Sequence, residues 1–397
     1  GYDNGLTLGS ALGVNGSFYL SNGTARVRQL LVGGSGSGYV WIGPGSLTVG
    51  HVLYIPNSSA SAYGTGLMVV ASTEAMVVVT QQTTRVGSGT LADCSGALVV
   101  SNGTVWLANT EVGSASDGSL HIGAATVTVV STGGSGIKIG QGTGAGRVVL
   151  ADSAAVLDLP GAELWVGGTG VNGSGTLIVS NGQVNAGFLH VGRANGSKGR
   201  LEIHDGSMVI LTNAFIGNNA NTTSLVLLAH ANSQLTVSNG GLYVGVYTNS
   251  FAQLILSNGS VVAKGLDVGS AGGTQMVAEL WIHNATSRLL ESVATANAMS
   301  IGGRQGATGT VVLAHAGARV EAPLGGRLYI GNSGHGRLII SNGVYEIAGA
   351  LTAADSQPGL AEITVGAGRL TVGGQLTLGR FSTGILTVAH ADAVVEV

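Results

Sequence analysis

The chain has 397 residues, with 69 glycines, 44% hydrophobic residues, five prolines and only 9% charged residues. That balance excludes collagen and polar disorder and leaves a turn-dense all-β chain that can bury a core. The formal net charge is −3 with the 16 Lys and Arg scattered, and no apolar run approaches the roughly 18–20 residues of a membrane helix, so neither nucleic acid nor membrane insertion is expected.

The chain opens at Gly1 without a basic or apolar leader, so any targeting segment has been removed or lies outside this stretch. Leu6-Thr7-Leu8-Gly9 is the first apolar-x-apolar-Gly phrase, and Ser-Asn-Gly follows with its asparagine at Asn22. Ser-Asn-Gly returns with Asn102, Asn181, Asn258 and Asn342, at intervals of 80, 79, 77 and 84 residues. A second signature, Ala-His-Ala, lies at His230, His315 and His390, with degenerate copies at Ser72 and Asp152. A third falls between them at Pro44, Ala124, Asp205, Asn284 and Gly366. Fifteen corners therefore run from Asn22 to His390, about 26 residues apart, inside the range that marks solenoids and arrays.

Between corners, apolar residues sit two apart, as at Leu177 and Val179, Leu189 and Val191, or Leu328 and Ile330. Period two means strands, and the helical or fixed Leu-Asn signatures of other short repeats are missing. The pattern predicts one three-sided parallel β-helix over residues 1–397, about 15 coils of about 26 residues, grouped into five super-repeats of about 80 residues with no separate catalytic domain. Cys94 stands alone and is expected to be a small buried residue.

The Leu-x-Val-Ser-Asn-Gly and Leu-x-Val-Gly phrases resemble the glycine-rich β-solenoid repeats of bacterial autotransporter passengers and related surface proteins. The resemblance covers nearly the whole chain and implies a right-handed β-helix exported to the cell surface. The chain departs from that family in showing neither the amphipathic strands of a translocator barrel nor an inserted catalytic domain. Joining Val397 to Gly1 restores the repeat in register, so the ends are expected to continue into further coils, in a longer chain or by head-to-tail stacking of copies.

Candidate chemistry weighs against an enzyme. The column Asn22, Asn102, Asp152, Asn181, Asp205, His230, Asn258, Asn284, His315, Asn342 and His390 is read as short polar corners that bond their own turns. Successive His corners lie three coils, about 14 Å, apart and cannot share an ion. Asp205 and His230 form one acid–imidazole pair without a patterned nucleophile beside it. Asp158, Glu321 and Glu396 form an outward column, and Arg319 with Glu346 a surface ion pair, rather than a cleft of convergent carboxylates. Outward aromatics fall in two columns, Trp165, Tyr243 and Tyr329 in one and Trp41 and Trp281 in the other. With three coils between rings they favour lateral packing over glycan binding. Nine Asn-x-Ser/Thr sequons occur, at Asn15, Asn22, Asn57, Asn102, Asn172, Asn195, Asn221, Asn258 and Asn284. No catalytic, cofactor or metal site is expected. The expected function is an extracellular structural protein that builds a fibre, sheath or surface layer. The alternatives are an adhesin or passenger stalk and a carbohydrate-active β-helix. Self-association is the expected partnership, with glycans a further possible partner.

Overall fold

A computed structural model describes residues 5–56, 64–88, 94–131, 134–168, 170, 172–269, 275–283, 299–322 and 326–397, and the backbone of 288–291. The described residues form 39 strands and no helix. They pair in parallel as stacked coils of a β-solenoid, about 14 turns of about 26 residues, because fifteen corners bound fourteen turns.

Each coil has three strand positions, and equivalent positions pair coil to coil. The first position carries a small residue followed by alternating apolar residues: Ser37–Ile42 pairs with Thr65–Val70, which pairs in turn with Ser95–Ala108. The second position follows the Asn, Asp or His corner, as in Ser207–Ile210 against Gln234–Val237. The third is the apolar-x-apolar-Gly phrase. Leu6–Leu8 pairs with Leu30, Leu31 and Val32, and Leu242–Val244 pairs with Leu266–Val268.

The chain divides into two units, Gly1–Phe188 with Arg193–Leu201, and Leu189–Gly192 with Glu202–Val397. In the first, Leu30, Val32, Leu53, Ile55, Leu98, Val100, Ile137 and Ile139 are fully buried in vertical files, the one from Leu53 to Ile137 passing through buried Thr84 and Thr110. In the second, Leu242, Val244, Leu254, Leu256, Leu328, Ile330, Leu338 and Ile340 do the same. Apolar side chains lie directly above one another at the strand spacing of about 4.8 Å, so each coil buries the faces of its neighbours. Cys94 is buried, as expected, and its Sγ accepts the Gly64 N–H at 3.5 Å.

The corner from third to first strand is the tightest point of the coil. Gly140 ends one third strand at φ +71°, and its N–H donates to Val112 O of the preceding coil at 2.7 Å. Gly146 then opens the next strand so close that a Cβ there would lie 2.1 Å from Val112 O and 2.2 Å from Gly140 N. The carbonyl that holds the coils together therefore forbids a side chain at that position. We expect Gly146→Val to destabilise the fold by about 3 kcal/mol or more, whereas Ala361→Gly, at the same position of another coil, costs no more than about 1 kcal/mol. Thermal denaturation followed by strand circular dichroism distinguishes the two.

Candidate interaction face

The corners between first and second strands are built from local hydrogen bonds. Asn22, Asn181 and Asn342 each accept the next glycine's N–H through Oδ1, at 2.9, 3.1 and 3.0 Å. Asp152 Oδ1 accepts from Ala154 N–H at 2.8 Å, and the Nδ1 atoms of His315 and His390 face Gly317 N–H and Asp392 N–H at 3.4 and 3.2 Å. At Asn102 the strand pairing runs through the bend, opposite Ala124, with Gly103 at φ +94°. Asn258 donates its N–H to Leu228 O at 3.2 Å. Among the sequons, Asn15, Asn22, Asn172, Asn195 and Asn221 are exposed and Asn102 and Asn258 half-exposed; Asn57 and Asn284 lie outside the described residues.

His230 Nδ1 lies 2.8 Å from Asp205 Oδ2, with the two side chains 53% and 41% exposed. His204 packs edge-on against His230 at 5.4 Å and pairs with Glu202 at 3.0 Å. Among the described residues no group of three or more His, Cys, Asp or Glu side chains is arranged to hold a metal ion.

Arg319 reaches Glu346 at 2.6 Å, but the two do not face each other in register. Arg319 pairs with Val344, and Glu346 with Glu321, because the Ala-His-Ala corner is two residues longer than Ser-Asn-Gly. The ion pair is therefore diagonal. Arg319 also contacts Glu321, and these two carboxylates raise its pKa above the ordinary arginine value, the hydrogen bond to Glu346 leading.

The middle residue of each third strand points outward, and in the first unit these residues run Tyr54, Arg85, Glu111, Lys138 and Trp165 in successive coils. Arg85 sits over Tyr54 at 5.4 Å and pairs with Glu111 at 2.7 Å. Lys138 and Arg193 lie over the Trp165 ring at 5.0 and 4.1 Å, and Glu163 accepts from both the indole N–H at 2.5 Å and Arg193 at 3.0 Å. Trp165, expected as an exposed aromatic, is consequently only 8% exposed. Its position on the strand is outward, but two cations cover the ring.

In the second unit the corresponding third-strand residues run His190, Phe215, Tyr243, Asp267, Ser300 and Tyr329. His190 stacks on Phe215 at 5.1 Å and 8°, and Phe215 on Tyr243 at 5.0 Å and 14°. Tyr243 and Tyr329 stand three coils apart as expected, but the rings are not isolated: Tyr243 ends a continuous ladder whose other rings are His190 and Phe215. Two short side chains then interrupt it before Tyr329. The interruption is a groove of about 530 Å³, bordered at the adjoining corners by Val246, Gly303, Arg304, Asn332 and Asp355. Burial, and the negative charge of Asp267 beside it, raise the Tyr243 pKa above the ordinary phenol value, so the hydroxyl stays protonated at neutral pH. Trp281, from the other aromatic column, stacks on His283 at 5.6 Å and donates to Glu279 at 3.0 Å.

The signal for Phe215 and His190 was present in the apolar-x-apolar-Gly frame, whose middle residue is outward in every coil. The 80-residue period hid them, because it samples only one coil in three.

No family model matches the chain, and no curated protein matches it. Among solved structures it is similar to that of a TibC-catalysed, hyper-glycosylated TibA fragment spanning residues 55–350, at 14% identity, covering 96% of this chain and 94% of that one with a TM-score of 0.34.

Two outcomes follow from these geometries. Arg193→Ala is expected to shift the Trp165 fluorescence to the red and to lower stability by about 1 kcal/mol. Asp267→Asn removes the charge that opposes phenolate formation, so tyrosinate absorbance assigned by difference to Tyr243 should appear at lower pH than in the unmodified chain.

Proposed function

We propose that the chain is a non-enzymatic extracellular structural protein that contributes a stiff element to a fibre, sheath or surface layer. The observation that supports this most is the parallel pairing of equivalent strands from coil to coil within each unit, over files of fully buried apolar residues. In such an architecture every coil is held by the same backbone bonds and the same apolar contact as the next. Stability then grows by nearest-neighbour terms, and a further coil, in the same chain or in another copy, adds by the same chemistry. The resemblance of the Leu-x-Val-Ser-Asn-Gly phrases to surface β-solenoid repeats supports the extracellular placement.

A second reading is an adhesin or passenger stalk. It is favoured by the third-strand column, where outward residues change in charge and size from coil to coil while the inward ones are mostly aliphatic, with Thr84 and Thr110 between them. An outward face that varies over a constant core suits presentation to a partner.

Electron cryo-microscopy of the purified chain over a range of concentrations tests the first reading. Filaments of constant cross-section, with an axial spacing of about 4.8 Å continuing across the junction between copies, are the expected result. Single particles of fixed length at every concentration would remove the end-to-end fibre and leave the stalk.

A further inference from the structure

The groove in the second unit has the shape and chemistry of a ligand site. Its walls come from the third-strand column. Tyr243 closes one side, backed by the stacked rings of Phe215 and His190, and Tyr329 stands three coils away on the other. Three coils correspond to about 14 Å. The floor between them is Asp267 and Ser300, short polar side chains in register with the two tyrosines. The Tyr243 ring is seated by Gly241, where any Cβ would lie 2.9 Å from the ring, so the phenol is held without another side chain beneath it.

Polar groups converge on the same space from the corner side. Arg304 and Asn332 follow the corner glycines of their coils, and Asp355 follows Ala354, which takes the same left-handed corner conformation at φ +58°. Asp355 is steadied by Arg380 at 3.0 Å. The Oδ1 of Asn332 is buried and has no hydrogen-bond partner among the described residues, an unmet acceptor beside the groove. Phenol donors, two carboxylates, a guanidinium, a hydroxyl and an amide thus surround a space with an aromatic wall at each side. With both carboxylates and Arg304 in the lining, the groove carries no strong net charge to select an anion or a polycation.

We infer that this groove is a binding site for a short neutral oligosaccharide, one pyranose face lying against Tyr243 or Tyr329 and its hydroxyls bonded by Asp267, Ser300, Asn332 and Asp355. A pyranose has what the groove complements: an apolar face of C–H groups and a rim of hydroxyls that both donate and accept. Carboxylates accept from such hydroxyls, while Arg304 and the Tyr243 phenol, kept protonated, donate to them. The volume of about 530 Å³ suits two or three sugar rings. This inference goes beyond the structural role proposed above and does not rest on it, since a fibre or a stalk could equally carry the site.

Titration calorimetry of the full chain with cellotriose, chitotriose, maltotriose and mannotriose, together with saturation-transfer NMR, tests it. At least one of the four is expected to bind saturably. Tyr243→Ser places in the wall a residue that Ser300 already supplies in the same column, and should weaken binding at least about tenfold. Ser300→Trp fills the interruption in the ladder and should abolish binding. Asp267→Asn, a nearly isosteric change, should weaken it several-fold, and keeps the test decisive if either larger substitution disturbs folding. Circular dichroism melting is expected to change little in all three. Absence of saturable binding by all four sugars would overturn the inference, as would binding that survives these substitutions in folded protein. Calorimetric binding of a proline-rich peptide at the groove, with no sugar bound, would overturn it in favour of a peptide site.

Discussion

The close approach of backbone to backbone at the corner between third and first strands sets the geometry of everything else. At Val112, Gly140 and Gly146, one carbonyl accepts the corner amide of the next coil and also occupies the space where a side chain would begin. The same arrangement recurs at Ile301, Gly331 and Gly336 in the second unit, with the hydrogen bond at 2.7 Å and a Cβ excluded at 2.3 Å. Where the strand residue is instead Ser224, Ala252 or Ala278, the crowding passes to the corner glycine: a Cβ on Gly217 would meet that of Ala252 at 2.9 Å, and one on Gly245 that of Ala278 at 2.7 Å. A small residue is therefore required on both sides of the corner. This explains how a chain rich in glycine nonetheless forms regular coils, since each such glycine answers a steric demand rather than loosening the backbone.

That constraint determines which residues are left for function. Inward positions must fill the files and are mostly aliphatic, with Thr84, Thr110 and Tyr345 among the buried departures, and the corner positions must be small or able to bond their own turn. Only outward residues, in particular the middle residue of each third strand, vary without consequence for the stack. Their column holds cation, acid, aromatic and hydroxyl side chains in successive coils. Proximity along this column is imposed by the fold, so chemistry depends on which side chains fall next to one another. In the first unit a tryptophan meets cations and is covered. In the second, aromatic rings stack until Asp267 and Ser300 break the run and open the groove.

The polar corners are more restrained chemically. The His230–Asp205 contact has the distance of a catalytic pair, yet both side chains are substantially exposed, and the Ser233 hydroxyl beside them bonds backbone, accepting the His230 N–H and donating to Ile203 O. The same holds for Arg319, Glu321 and Glu346, a charged cluster at the surface whose members screen one another. Exposed ion pairs of this kind contribute about 0–1 kcal/mol and define a face more than they stabilise it.

What the amino-acid sequence determined by itself was the architecture: period-two apolar runs, glycine or Asn-Gly corners and a step of about 26 residues permit a parallel coil of strands and little else. It also identified Asn22, Asn181 and Asn342 as corner residues, because the chemistry of an Asx turn is local to its own few residues. The lateral register was decided only by the tertiary structure. The corners differ in length, so Glu346 stands opposite Glu321 rather than Arg319, and counting from the corners misses this. The cover over Trp165, the ladder from His190 to Tyr243 and the groove beyond it were decided there as well. They join residues one coil or more apart in the chain, and the hydrogen-bond register between coils, rather than any local preference, brings them together.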